Sequence, residues 1–268
     1  MTADSPYLDP HVASVYACLA APSQFTRPAQ DLVGLLDVSV GARVVDVGSG
    51  TGVVSAALAR AVGAAGRVIA VDPSAAMLSV ARHQPPYHRV VARMPGLPFP
   101  DAAFDAATAS FVISHLASYA DGLTEMIRIC KPGGRVGVTA WGILPNPAGA
   151  LWKQVAMTIE GSEHLSEAFR IAIPWDAWLS RADNLEHALR DADLTRVAVV
   201  VRNFVVSVSA ADYVAMKGAT VEGTLLRRML TAERWDRFTR EVIVAFRTRF
   251  GDVVEFTRDF LIGIGTKG

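Results

Sequence analysis

The chain reads as an α/β protein built on a parallel sheet with helices on both faces. Three observations point that way. From residue 43 to about 141 short apolar runs alternate with helix-like segments, and the first run is closed by VVDVGSGTG, with glycine at 48, 50 and 52. The apolar runs are continuous rather than alternating, as strands buried on both faces are. Strand and helix exchanged at this pace are the mark of a doubly covered parallel sheet.

In order, RVVDV (43–47) is the first strand, and VVSAALARAVGAA (53–65) is a helix with apolar spacings of three and four. RVIAVD (67–72) is a second strand, followed by a helix over SAAMLSVARH (74–83) with Ser74 as N-cap. HRVVA (88–92) and FDAATASFV (104–112) are the third and fourth strands. A helix over 117–130 then leads through the breaker Pro132-Gly133-Gly134 into a fifth strand, GRVGVTAW (134–141). Upstream, residues 8–37 predict two helices, with DLVGLLDV packing onto the first strand. Downstream, helices are expected over 145–161, 175–194, 210–219 and 231–250, and strands over 195–208 and 253–268. The helical stretches at 145–190 and 210–250 read as insertions covering one edge of the sheet, with no Gly/Ser-rich linker to mark off a second domain.

Composition narrows the function. Of 268 residues, 51% are hydrophobic and 19% charged, enough for one large core. Lys+Arg and Asp+Glu both number 26, which gives no electrostatic reason to expect nucleic acid or an anionic membrane as partner. Cys18 and Cys130 lie far apart and form neither a metal spacing nor a disulfide framework, so no metal is expected. The N-terminal residues lack a signal-peptide pattern, and no window approaches ~18 unbroken apolar residues. The expectation is a soluble, cytoplasmic protein.

Three glycines in five residues at the mouth of a helix let a ligand approach bare backbone N–H groups. Glycine-rich first loops serve several cofactor classes. Asp46 discriminates among them, because a carboxylate at the end of the first strand would repel a pyrophosphate. Gly50 is followed by Thr51 and Gly52, not by the Lys-Ser/Thr of a P-loop. An acid there suits a ligand bearing positive charge, an ammonium or a sulfonium. Asp72 ends the second strand, where a carboxylate can accept both hydroxyls of a ribose. Adenosine, a cationic amino-acid end and no phosphate together describe S-adenosylmethionine (SAM).

VVDVGSGTG, VDPSAAML, LPFPDAAFDAATASFVISHL and EMIRICKPGGRV, in this order and separation, resemble the class I SAM-dependent methyltransferases. They are most similar to the small-molecule group that includes the ubiquinone/menaquinone-biosynthesis methyltransferases, over roughly residues 30–141. The resemblance implies a Rossmann-like, seven-stranded, mostly parallel sheet whose last two strands form an antiparallel hairpin. It implies one methyltransferase domain over 1–268: an N-terminal helical lid (1–40), a SAM-binding core (41–142), helical insertions on the acceptor side (143–194 and 209–251) and last strands at 195–208 and 252–268.

Carried onto this chain, the resemblance places Asp46 toward the methionine end of the cofactor, directly or through water. Gly48 and Gly50 let the backbone pass close to it, and Ser49 and Pro73 lie within the same binding motifs. Asp72 holds the ribose, Met77 packs against adenine, Met94 lies near its edge, and Ser110 and Phe111 border the methionine part and the reactive methyl. Relatives commonly show Gly-Asp-Ala where this chain has Ala92-Arg93-Met94. Arg93 cannot accept a hydrogen bond from the adenine amino group, so backbone or another residue must hold it, or Arg93 points to solvent. S-adenosylhomocysteine (SAH) would be the product.

Methyl transfer from a sulfonium asks the protein to position a nucleophile and exclude water, and to remove a proton only where the acceptor needs it. His115, after the fourth strand, is the candidate base. In the N-terminal lid, Tyr16 is a cofactor contact and His11 a substrate contact. Trp141 and Trp152 are candidate walls of an acceptor pocket, against the alternative that they belong to a core. The expected acceptor is a small, largely apolar or aromatic metabolite of secondary metabolism, methylated on O, N or C. The competing readings are a peptide or protein methyltransferase and a non-catalytic partner that keeps the fold. The arginine-rich helix over 231–250 reads as a solvated face or a homodimer surface rather than a nucleic-acid site.

Overall fold

The computed structural model describes residues 6–80, 87–159 and 164–268. The chain enters through α1 (Pro10–Val15), a π-helical stretch (Tyr16–Phe25) and α2 (Thr26–Leu36). Then come β1 (Arg43–Val47), α3 (Val53–Val62), β2 (Arg67–Asp72), α4 (Ala75–Val80), β3 (His88–Val91), β4 (Phe104–Ser110), α5 (Tyr119–Ile129) and β5 (Cys130–Trp141). Helices α6 (Pro147–Ala156), α7 (Leu165–Ala172), α8 (Asp176–Leu179) and α9 (Ala182–Asp191) lead to β6 (Leu194–Ser209). Finally α10 (Ala210–Gly218), α11 (Val221–Arg228) and α12 (Ala232–Phe250) precede β7 (Val253–Lys267).

The seven strands pair in the order β3-β2-β1-β4-β5-β7-β6. The first five are parallel, and β7 runs antiparallel between β5 and β6. The order reverses at β1, so the carboxyl ends of β1, β2 and β4 open a crevice at the switch point where ligands of open α/β sheets bind. One face of the sheet packs on α5 and α9 through Leu123, Met126, Leu185 and Leu189. The other packs on α2 and α3 through Leu32, Leu36, Val54 and Leu58.

β6 and β7 are longer than the other strands and carry a third core. There α6, α10 and α12 bury Trp152, Phe238, Val242 and Phe246 against Val206, Val254 and Phe256. The residues Val254, Phe256, Phe260, Ile262 and Ile264 recur every second position of β7 and are all buried, the signature of one inward strand face. Arg258 occupies the same face.

Several boundaries differ from the sequence reading. β5 begins at Cys130 rather than 134, because the chain stays paired with β4 through the Pro-Gly-Gly stretch by a register shift between Phe104 and Ala106. The single helix expected over 175–194 is two, α8 and α9, and Asn184 Nδ2 donates to the Trp178 carbonyl across the break (2.8 Å). α7 and α11 were not expected. α11 contains Gly223, where a Cβ would lie 2.1 Å from the Lys217 carbonyl oxygen, so glycine marks a close approach of α10 and α11 rather than a breaker. The ends of two expected helices, 81–83 and 160–161, lie outside the described residues. Among the described residues no helix is long and apolar enough to cross a membrane, and no group of His, Cys, Asp and Glu could hold a metal ion.

Candidate active site

The loop after β1 turns through left-handed backbone at Gly48 (φ 67), Gly50 (φ 54) and Gly52 (φ 85), a conformation that costs an L side chain roughly 1–2 kcal/mol. The glycines serve different ends. A Cβ on Gly48 would lie 2.4 Å from Val112 Cγ2, so this glycine lets the β4 exit loop close in. A Cβ on Gly50 would meet nothing within 4 Å, because Gly50 faces a cavity of about 280 Å3 at the crevice. That volume is near the lower end for small-molecule sites.

Asp72 stands opposite. One carboxylate oxygen accepts the Gly50 N–H (2.8 Å) and the other the Ser74 N–H (2.8 Å), which leaves lone pairs on both oxygens for a ligand. Burial pushes its pKa upward, and the two backbone N–H groups pull it back. Ser74 caps α4, its hydroxyl accepting the Met77 N–H (3.1 Å) and donating to the Tyr7 carbonyl. The N-terminal segment is thereby tied over the second strand. Pro73, Met77, Met94 and the exposed Arg93 line the cavity beyond Asp72.

Asp46 takes a different position from its neighbours in the motif. It is 1% exposed and lies beneath the loop, accepting hydrogen bonds from Ser55 Oγ (2.6 Å) and Thr108 Oγ1 (2.9 Å), and it does not line the cavity. Burial pushes its pKa up to about 6, against the pull of the two hydroxyls. Its carboxylate braces β1, α3 and β4, and its charge reaches the cavity only as a field. Ser49 also lies off the cavity lining, with its hydroxyl buried and without a partner.

At the end of β4, Ser110 Oγ shares a hydrogen bond with Thr139 Oγ1 (2.9 Å), and the Phe111 N–H donates to the same oxygen (3.0 Å). Phe111 has φ 57 and stacks on Trp141, ring centroids 4.0 Å apart. Phe25 packs against both rings, and Tyr16 stacks on Phe25 (5.0 Å). The π-helical stretch places Tyr16, Ala20 and Gln24 on the cavity wall, and π turns recur at functional sites.

Past the aromatic wall the cavity is charged, a feature the sequence reading missed. The Arg258 guanidinium lies 3.2 Å from the Trp141 ring centroid and donates to Gln24 Oε1. Lys217 pairs with the buried Glu222 (2.5 Å), and Asp176, Tyr213 and Asn146 complete this end. Two sequence signals existed. Arg258 interrupts the alternating apolar face of β7, and Lys217 follows Ala210, Tyr213 and Val214 at helical spacing on the buried side of α10.

His115 lines the cavity, its ring 6.4 Å from Tyr7, with no carboxylate orienting it among the described residues, and burial pushes its pKa down to about 4. Two substrate expectations are corrected. Trp152 is fully buried in the helical core among Phe238 and Trp235 and does not reach the cavity. His11 is exposed and borders a separate shallow pocket with Val12, Ala211 and Trp235. Both helices carry their apolar sides elsewhere, so residue type alone misplaced these two.

The fold and this loop are similar to those of class I methyltransferase domains. Residues 45–138 match the family described as "Methyltransferase domain". The chain is 31% identical over 154 residues to the ubiquinone/menaquinone biosynthesis C-methyltransferase UbiE of Hahella chejuensis, covering 51% of this chain and 62% of that one. It is 35% identical to the demethylmenaquinone methyltransferase of Paenarthrobacter aurescens, covering 49% and 50%. The chain thus spans about half to three fifths of the length of these curated relatives. In fold it is similar to the Haemonchus contortus phosphoethanolamine N-methyltransferase 2, solved with phosphomonomethylethanolamine and SAH (TM-score 0.54, 16% identity, 90% of this chain and 52% of that one). Over the matched residues the chain is thus similar to SAM-dependent methyltransferases of the UbiE group.

Proposed function

We propose that this protein transfers a methyl group from SAM to a small molecule with a flat, unsaturated body. The observation that carries the reading is the opposition of Gly50 and Asp72 across one cavity. Gly50 presents an open, left-handed backbone, and Asp72 keeps lone pairs free on both oxygens. Those groups suit a ribose and an adjacent adenine packed on Met77, and no basic residue stands at the loop for a phosphate. The field of buried Asp46 favours a cation at the end of β1. Arg93 is exposed on the rim and is not needed for adenine.

SAM supplies an activated methyl, so the chain's own work is to position and to exclude water. Phe111, Trp141 and Phe25 form a flat wall beside the loop, suited to an aromatic or quinone-like ring. Tyr7, Tyr16 and the π-helical stretch close the cavity over Asp72 and the wall. His115, neutral near pH 7 and without an orienting carboxylate, fits a shape-forming role better than that of a base. Two of the relatives bear names of quinone-pathway methyltransferases, and an acceptor of that ring type is consistent with the wall. Calorimetric titration with SAM and with SAH tests the reading: both bind with a stoichiometry of about one, and binding of neither would end it.

A further inference from the structure

The far end of the cavity holds a guanidinium, Arg258, that no carboxylate touches among the described residues. Arg258 projects from the inward face of β7, where every neighbouring position is apolar. Among the described residues it makes no ion pair. One N–H donates to Gln24 Oε1, and the guanidinium carbon lies 3.2 Å from the Trp141 ring centroid. A guanidinium has five N–H donors, so most of its capacity faces the cavity unused. The carboxylates nearby are already engaged or distant. Asp259, next along the strand, accepts the backbone N–H groups of Ile143 (3.1 Å) and Leu144 (3.0 Å). Glu222 is spent on Lys217. Asp176 lies within the field of Arg258, Lys153 and Lys217 without touching any of them closely enough to pair. Arg258, Lys217 and the exposed Lys153 equal Asp176, Glu222 and Asp259 in number, so what sets Arg258 apart is not excess charge but the lack, among the described residues, of a carboxylate in contact with it.

A half-buried cation without an ion pair gives up hydration that a ligand carboxylate can replace. Trp141 offsets part of the cost through cation–π contact, and the same ring extends by stacking to Phe111 at the glycine loop. Aromatic surface therefore runs unbroken from the loop to the cation. Building on the methyltransferase reading above, we propose that the acceptor is a planar aromatic carboxylate, with Arg258 as the group that binds its carboxylate and Lys217 reinforcing the field. The planar fork of arginine matches a carboxylate with two parallel hydrogen bonds, which a lysine at this place could not provide. Gln24 fixes the fork, so the π-helical stretch couples closure over the cofactor to the acceptor end.

The test uses benzoate, 2-naphthoate and indole-3-carboxylate, each beside its neutral primary amide. Binding is read by ligand-observed NMR on the full chain, with and without saturating SAH. At least one carboxylate is expected to bind roughly ten- to a hundredfold tighter than its amide, the range of hydrogen bonds to a charged group. That preference disappears in Arg258→Gln and in Arg258→Met, the second removing the buried charge in case the first folds poorly. Thermal unfolding confirms that the variants fold. Amides matching their acids, no carboxylate binding at all, or a preference that survives both variants would each overturn the proposal. SAH binding, read in the same samples, fails only if the methyltransferase reading fails, so the two outcomes separate.

Discussion

The two ends of the cavity are made of different material. At the loop end, the two groups that oppose each other, Gly50 and Asp72, are 22 positions apart and joined by a hydrogen bond between loop and strand end. At the acceptor end, Gln24, Trp141, Asp176, Lys217 and Arg258 come from five separate elements. The first end needs particular backbone geometry, so its residues form a compact pattern. The second needs only a surface of suitable shape and charge, which any inward-facing position can supply. The loop end is therefore written locally, and the far end is written in exceptions to packing patterns.

Core and site substitutions separate this contrast most strongly. Trp152→Ala should cost about 3–5 kcal/mol of stability, the range for deleting a buried aromatic, while SAH affinity of the folded fraction stays unchanged. Denaturant midpoints with parallel calorimetry measure both, and weakened SAH binding would return Trp152 to the site. Next in size, Gly48→Ala and Gly50→Ala share a positive φ but not their surroundings. Gly48→Ala should destabilise by about 3 kcal/mol through its Val112 clash, and Gly50→Ala by about 1 kcal/mol from backbone strain alone. Equal losses would mean that the loop relaxes and the two glycines do not have distinct roles.

The carboxylate beneath the loop gives a pH signature. The pKa of Asp46 is raised when folded, from 3.8 to about 6. The folded state thus holds the proton more tightly, and the stability this group contributes is present below about pH 4 and lost as pH rises to 6. That rise corresponds to at most about 3 kcal/mol, partly offset in Asp46→Asn by weaker bonds to Ser55 and Thr108. Asp46→Asn should flatten the fall in stability between pH 4 and 6 by about 1 kcal/mol, with Asp72 leaving a residual slope of the same sign. An unchanged slope would place the titration elsewhere. The smallest effect is expected at His115. His115→Ala should slow methyl transfer less than about tenfold, against the 10²–10⁴-fold expected for a general base, and a larger loss with a shifted pH–rate profile would restore the base.

Much of this architecture could be read from the sequence because continuous apolar runs announce buried parallel strands. β1 and β2 fall where RVVDV and RVIAVD predict them. The helices of the acceptor side were less legible. α11 hides behind Gly223, whose role is a close helix contact, and α8 and α9 share an unbroken helical pattern that a side-chain hydrogen bond from Asn184 divides. Asp46 shows a subtler limit. Its motif position suggested ligand contact, yet Ser55 and Thr108, 9 and 62 residues away, turn it inward. Arg258 is hard to single out because a strand pattern does not distinguish it from Glu255, Asp259 and Lys267 until the inward face of β7 is known.

If the two ends of the cavity are separable, SAH titration of paired variants shows it most directly. Asp72→Ala removes the carboxylate proposed to accept both ribose hydroxyls and should weaken SAH binding roughly a hundredfold or more. Arg258→Met, at the other end, should leave SAH affinity within about threefold of the unmodified protein. An Asp72→Ala protein that is folded and binds SAH normally would contradict the placement of the cofactor.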